Sequence, residues 1–279
     1  MKIYRPTSAG RRGMTGIDYR SVLTTSTPEK SLTRGRKRAV GRNNAGRITT
    51  RHKGGGVKRR YRDVSFDYTK QGIPGTIKSV EYDPNRSAFI SLVVFKDGDK
   101  QYRLAAKDAK VGDEIILSAD APQKAGNALP ISMIQSGTPI FNVEFKAGGG
   151  GKLARSAGQS LEVVAQEGKR TLVRMPSKEV RYLPSNAWAT VGALTNEEYR
   201  FVNWGKAGRS RRKGIRPTVR GTAMNPVDHP YGGGEGVQPQ GTKRPKNLWG
   251  RGTRGVKTRH KKKYSRVFIV SRRVTTKKK

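Results

Sequence analysis

The only imidazoles of this chain are His52, His229 and His260, and it has no cysteine. The three stand far apart and lack paired-ligand spacing, so we expect no metal site. His52 and His260 lie among Arg and Lys and read as contacts to phosphate or base. His229 sits in Met224-Asn225-Pro226-Val227-Asp228-His229-Pro230-Tyr231, ahead of Gly232-Gly233-Gly234-Glu235-Gly236. Two prolines stiffen the approach and the glycines free it. An imidazole there could be a general base. Asp228, however, is its chain neighbour, and neighbours in an extended segment point to opposite sides. It is poorly placed to orient the ring as a triad carboxylate would. The better reading is a loop shaped to RNA, with Asp228 and Glu235 bonded to base amines or metal-bound water and Asn225 beside them. No catalytic residue is expected; His229 is the one candidate.

Three other glycine-rich patterns fail on spacing. Gly151-Lys152 invites a phosphate loop, but that motif needs Gly at 146 and Ser or Thr at 153, where Lys146 and Leu153 stand. A flexible loop presenting Lys152 and Arg155 to a nucleic-acid backbone fits better. Ser156 and Gly158 suggest a nucleophile elbow, but Ala154 occupies its first glycine. The run 232–236 lacks the third glycine of a dinucleotide fingerprint, and no apolar strand leads into it.

These segments sit in an uneven charge distribution. Residues 1–60 carry 17 Lys and Arg against 2 Asp and Glu, residues 61–200 carry 19 against 16, and residues 201–279 carry 23 against 2. A nearly neutral middle is flanked by two cationic arms. Like charges oppose compaction, so the neutralising charge must come from outside, and a polyanion with one phosphate per nucleotide supplies it. A solvated tail would be poor in aromatics. These arms hold Tyr4, Tyr19, Trp204, Tyr231, Trp249, Tyr264 and Phe268 among glycines and prolines. Rings stack on bases, and glycine lets backbone approach phosphate. We expect arms unstructured alone and ordered on nucleic acid. No apolar run reaches the roughly 20 residues of a membrane span. The basic start is broken by Pro6, Gly10, Gly13 and Gly16, so it reads as mature sequence rather than a transit peptide.

The middle must supply the rigid elements, and it reads as strands. Val64, Phe66 and Tyr68 alternate with polar residues. Thr76–Tyr82, Ser87–Lys96, Gln101–Leu104 and Asp113–Leu117 follow, with a hairpin turn at Asp97-Gly98. Five short strands in so little chain suggest a small closed barrel. A second set spans Pro139–Lys146, Leu161–Gln166, Arg170–Met175, Glu179–Leu183 and Ala187–Val191. Tight turns are expected at Glu167-Gly168-Lys169 and Pro176-Ser177-Lys178. Thr195-Asn196-Glu197-Glu198 has the form of a capping box before a brief helix.

Segments in order along nearly the whole chain resemble a known family. They are RPTSAGRR at 5–12, GRNNAGRITTRHKGGG at 41–56, YDPNRSA at 82–88, KDGDKQY at 96–102, LARSAG at 153–158, GKAGRSR at 205–211, RPTVRG at 216–221, GTAMNPVDHPYGGGEG at 221–236 and RVFIVSRR at 266–273. Together they resemble the second large-subunit ribosomal protein family, in its bacterial or organellar form. Two departures stand out: Tyr231 replaces a second family histidine, and Asn247-Leu248 precedes Trp249 where the family often has proline. The resemblance implies a mainly β protein: an oligonucleotide-binding (OB) barrel near 61–121 and an SH3-like barrel near 122–200, between basic irregular extensions at 1–60 and 201–279. It implies a primary binder of large-subunit ribosomal RNA with roles in subunit association, transfer-RNA binding and support of the peptidyl-transferase region. Its glycine-rich loop would lie near, but not in, an RNA active site.

For phosphate contacts we select Arg11, Arg12, Arg42, Arg47, Arg51, His52, Lys53, Lys152, Arg155, Arg209, Arg211, Arg212, Arg220, Lys257, Arg259 and Lys261. Trp204, Tyr231 and Trp249 are stacking candidates, and Asn225, Asp228, His229 and Glu235 complete the RNA set. The expected partners are ribosomal RNA, neighbouring ribosomal proteins, the small subunit and, indirectly, transfer RNA. No membrane and no cofactor are expected beyond RNA-bound Mg2+. A DNA-packaging protein would need a recognition helix that these Pro/Gly-broken arms lack. An enzyme acting on RNA would rest on His229 alone.

Overall fold

The computed structural model describes residues 1–38, 40–236, 240–260 and 262–273. Contacts divide the chain into two compact units. The first comprises Met1–Lys37, Lys58–Lys206 and Val267–Lys279; the second comprises Arg38–Val57 and Ala207–Arg266. The protein is mainly β.

The first unit holds two larger antiparallel sheets. One has four strands in the order Lys100–Leu104, Ile90–Phe95, Gly75–Glu81, Glu114–Ile115. The apolar run at its centre faces two clusters by strand alternation. Ile90 and Leu92 meet Val64 and Tyr102, whereas Phe89, Val93 and Phe95 meet Ile77, Val80 and Ile115. Asp97-Gly98 makes the expected hairpin, with Val94 opposite Lys100 and Gly98 at φ +84°. Gly75 is required by close approach. A Cβ there would lie 2.7 Å from Val93 Cγ1 and 3.0 Å from the Phe95 ring.

The alternation over Val64–Tyr68 does not produce a regular strand. Val64 makes a single parallel bridge to Tyr102, and the Ser65 amide donates to the Tyr102 carbonyl at 2.9 Å. Val64 and Tyr68 are buried all the same. The pattern reported the burial of both, but Tyr68 packs in the first core with Ile77 and Phe89 and reaches toward the second sheet with its hydroxyl. There its hydroxyl donates to the Asn142 carbonyl and sits 3.2 Å from Thr190 Oγ1.

The second sheet runs Ile269–Ser271, Val180–Pro184, Arg170–Arg174, Leu161–Glu167, Pro139–Phe141, Trp188–Val191, Ala128–Pro130. Its core includes Ile131, Ile134, Ile140, Val143, Val163, Val173 and Leu183. Turns form at Gly168 and Lys178, both with positive φ, as the sequence requires. The expected strand Pro139–Lys146 is cut at Asn142, φ +50°, into Pro139–Phe141 and Val143–Glu144. Both sheets agree with an OB barrel followed by an SH3-like barrel.

No capping box forms at Thr195. Its hydroxyl accepts the Phe89 amide at 3.1 Å, inside the first unit. Asn196 instead starts a 3-10 turn, Glu197–Phe201, from the left-handed region without a side-chain cap. A buried amide just ahead of the strand Ile90–Phe95 outcompeted a helix start.

Parts of both basic arms are built into this unit. Lys2–Ile3 pairs with Thr15–Gly16, and Thr33–Arg34 with Tyr61–Arg62. Tyr19 and Leu23 pack on the first core. Ile269–Ser271 adds an edge strand to Val180–Pro184.

The second unit is made of turns. Its described regular elements are the helix Ala207–Arg212 and the 3-10 turns Gly221–Ala223 and Tyr264–Arg266. Isolated bridges join Arg42 to Ile48, Lys53 to Ile215 and Lys246 to Gly252.

Candidate nucleic-acid interface

The glycine-rich histidine loop is closed by its own backbone. The Asp228 and His229 amides reach the Asn225 carbonyl, Gly232 N donates to His229 O at 2.8 Å, and Gly233 N to Met224 O at 3.0 Å. The imidazole lies flat against Gly221, where a Cβ would come within 2.5 Å of Nδ1. Its Nδ1 accepts the Tyr231 amide at 3.0 Å. A neutral ring accepting there carries its proton on Nε2. No hydrogen bond joins the Asp228 carboxylate to the ring among the described residues, so the triad-like alternative gains no orienting partner. Asn225, Asp228 and Glu235 are exposed around the loop.

Tyr231 requires a correction. It is buried, 9% exposed, and tilts against the His229 ring at 5.0 Å between centroids. Its hydroxyl pairs with Thr242 Oγ1 at 3.0 Å and accepts the Lys246 amide. The phenol therefore organises the loop from inside instead of offering a face to a base. Trp249 is the opposite case: 71% exposed, with the Arg51 guanidinium 5.7 Å from its ring. Trp204 is half-buried, edge-on to Tyr199 at 6.2 Å.

The second unit stitches pieces of the two arms together. Arg216 N donates to His52 O at 3.0 Å, His52 Nδ1 lies 3.2 Å from Pro217 O, and Val57 N donates to Arg212 O at 2.9 Å. Arg42, Arg47, Arg51, Lys53, Arg212, Arg220 and Lys257 are exposed around this framework; Arg209 and Arg211 are half-buried. Arg42 is steadied by the Gly46 carbonyl at 2.9 Å and Arg211 by Ile215 O at 3.4 Å. Arg259 is half-buried and tied to the buried Ser265 hydroxyl at 2.9 Å, which gives it an internal role. Lys261 lies outside the described residues.

Arg11, Arg12, Lys152, Arg155 and Trp204 belong to the first unit. Arg11 leans on Thr7 Oγ1 at 3.1 Å, and Arg12 is exposed. In the loop Ala147–Gly151 the four glycine amides are already engaged. Gly148 and Gly150 donate to the buried Glu144 carboxylate at 3.2 and 2.9 Å, Gly149 to Lys146 O, and Gly151 to Phe66 O. Trp188 N adds a third bond to Glu144, at 3.1 Å. An internal carboxylate fills the position a phosphate would take in a true phosphate loop; Lys152 is exposed and Arg155 half-buried beside it.

Two family models match the chain. One, described as the RNA-binding N-terminal domain of ribosomal proteins L2, covers residues 29–117; the other, their C-terminal domain, covers residues 124–250. The chain belongs to the ribosomal protein L2 family. It is accordingly an RNA-binding ribosomal protein of the large subunit. The N-terminal match spans the four-stranded sheet, and the C-terminal match spans most of the second sheet and the His229 loop.

Sequence reasoning missed Glu144, whose only signal was an acid four residues ahead of a glycine run. It also missed the ring of Phe66, which lies 4.1 Å from the Arg155 guanidinium and 5.2 Å from that of Arg86. Burial, and then repulsion from Arg86, holds the Arg155 pKa below the usual guanidinium value. No helix among the described residues is long and apolar enough to cross a membrane.

Proposed function

We propose that this member of the L2 family is a primary binder of large-subunit ribosomal RNA that supports subunit association, transfer-RNA binding and the peptidyl-transferase region without performing catalysis. The observation that carries the reading is the segregation of charge from core. The second unit has 22 Lys and Arg against Asp228 and Glu235, and Tyr231 is its one buried hydrophobic among the described residues. Such a unit gains its stability from an external polyanion, and each phosphate neutralised releases counterions. The four stretches 1–60, 61–121, 122–200 and 201–279 divide the work, with barrels as the body and extensions threading between RNA helices. Mg2+ enters as ions bound to the RNA. Neighbouring ribosomal proteins and the small subunit are the protein-side partners. The site of action is the ribosome, cytoplasmic or organellar.

Sedimentation of the tagged chain in lysate tests this: it should travel with large subunits through a high-salt wash. Recovery as free protein, or on DNA, would remove the reading. His229→Gln separates positioning from chemistry. Single-turnover peptide-bond formation on fully assembled particles should change less than about threefold. A loss of about 10²-fold, with normal substrate binding across a pH range, would make His229 a general base.

A further inference from the structure

Between Arg12 and Lys30 the N-terminal arm carries a single cation, Arg20, and both acids of the arm, Asp18 and Glu29, fall in the same stretch. A segment made to face a run of phosphates would not be composed this way. It folds into one wall of an open apolar cleft of about 380 Å³ on the first unit, whose lining includes Tyr19, Arg20, Leu23, Thr24, Thr25 and Tyr82. The wall is preformed. The Tyr19 carbonyl accepts the Leu23 amide at 2.9 Å, Thr24 N donates to Val80 O at 3.0 Å, and Val80 N donates back to Thr24 Oγ1 at 2.9 Å. Tyr19 packs edge-on to Tyr82 at 5.3 Å and to Phe89 at 6.0 Å, and Leu23 rests on the first core. Tyr82 is 43% exposed. Arg20 is the one charged residue of the lining. Its hydrogen bond to Asp18 Oδ1, at 3.2 Å, uses the backbone amide, and its guanidinium makes no hydrogen bond or ion pair among the described residues.

We propose that this cleft docks a short acidic segment of a neighbouring protein, with an aromatic or leucine side chain seated against Tyr19, Leu23 and Tyr82 and a carboxylate on Arg20. The proposal rests on the reading that neighbouring ribosomal proteins are partners, and gives that contact a place. The volume lies near the lower end of ligand pockets and suits one large side chain with its flanking backbone. Walls already fixed by the core cost a partner little ordering. An RNA strand brings one phosphate per nucleotide, and a single cation cannot meet that run. A second copy of this chain would bring a net charge of +39 toward a chain of the same charge. Charge complementarity therefore selects a segment that carries carboxylates.

The test pans a phage-displayed library of random dodecapeptides on the full chain, at about 0.15 M salt to screen long-range attraction. Recovered peptides should place an aromatic residue or leucine beside Asp or Glu. Synthesised and titrated, they should bind the cleft-filling Thr25→Trp at least about tenfold more weakly than the parent and Arg20→Gln about threefold more weakly. Each should shift the Leu23 methyl resonances of the parent chain. Both variants should keep the parental melting temperature and bind ribosomal RNA on a filter within about twofold of the parent; Arg20 is exposed, so Arg20→Gln remains a fair test if Thr25→Trp melts lower. A library that yields no such peptides would overturn the site. So would peptides that bind Arg20→Gln and the parent equally, that are acidic without an apolar anchor, or that leave Leu23 unshifted. Equal Leu23 shifts from a uridine hexanucleotide would give the cleft to RNA and overturn it too. Each of these results leaves the RNA-binding reading standing, whereas a parent chain that fails to bind ribosomal RNA would remove that reading without touching this site.

Discussion

Two regions of this molecule are stabilised by different means. The first unit buries Ile90, Val93, Tyr102, Ile131, Ile140, Val163 and Leu183 in packed clusters, and its strands pair in two larger sheets. The second buries Tyr231 and is otherwise a framework of turns, bridges and backbone bonds bearing many cations. The first is a self-sufficient solute with apolar burial as its driving force. The second has backbone order without a matching core, so much of its free energy is deferred until an anion arrives. A ribonucleoprotein component divides its sequence accordingly: apolar residues where it must fold, cations and glycines where it must fit.

The sharpest way to break this comparison is to charge the first core. Val93 is 0% exposed. Val93→Asp should cost roughly 4 kcal/mol or more, because an unpaired carboxylate is buried, and calorimetry should show the main melting transition lost. If hydrogen exchange in the second unit accelerates equally, the two regions are one cooperative structure and the contrast fails. Glu144→Ala should come next, at about 3 kcal/mol, since it strands the Gly148, Gly150 and Trp188 amides. The urea midpoint should fall, with Glu144→Gln between the two.

The second unit should respond in the other coordinate. Replacing Arg209, Arg211 and Arg212 together by Gln should leave that midpoint unchanged. It should flatten the plot of log affinity for ribosomal RNA against log salt by about 0.7–0.9 per lost phosphate contact. An unchanged slope would remove this helix from the interface.

The smallest effect concerns pH. Asp97 has a pKa held below the ordinary value by its hydrogen bond to Lys70 at 2.6 Å and then by the Asp99 amide; Lys70 is raised by the same pairing with Asp97 and with Asp99. Glu29 is lowered chiefly by Lys100. Carboxylates lowered on folding add stability above their unfolded pKa and lose it as pH falls through the folded one. Lys70 contributes below its unfolded pKa and loses its share at alkaline pH. Acid sensitivity of the first unit should therefore shrink slightly in Asp97→Asn, read as urea midpoints from neutral to pH 3. An identical pH profile would show that the pair is too solvated to matter.

What was legible in the sequence follows the same division. Ile90–Phe95, the Asp97-Gly98 hairpin and the turns at Gly168 and Lys178 were readable because side-chain period and turn chemistry are local. The single bridge at Val64, the break at Asn142 and the diversion of Thr195 to the Phe89 amide were not, because each depends on a partner distant in the chain. At the interface, cations were easy to find and their neighbours were not. Tyr231 looked like a free ring because nothing near it in sequence announces Thr242 and Lys246. Arg259 looked like a free cation because Ser265 is an unremarkable residue until it is buried. Phe66 was read as part of a strand, and only the fold brings Arg155 over its ring.

The edge strand Ile269–Ser271 has a consequence for the order of synthesis. The Val180–Pro184 edge that it covers is made long before it, and the intervening Ala207–Arg266 segment must be translated first. At 5–20 residues per second, that stretch alone takes on the order of 3–12 s. Throughout that interval a nascent sheet shows an open flank, and Arg181 and Pro184 on it are residue types that discourage stray pairing. When the last strand docks, the cationic segment becomes a loop closed at both ends.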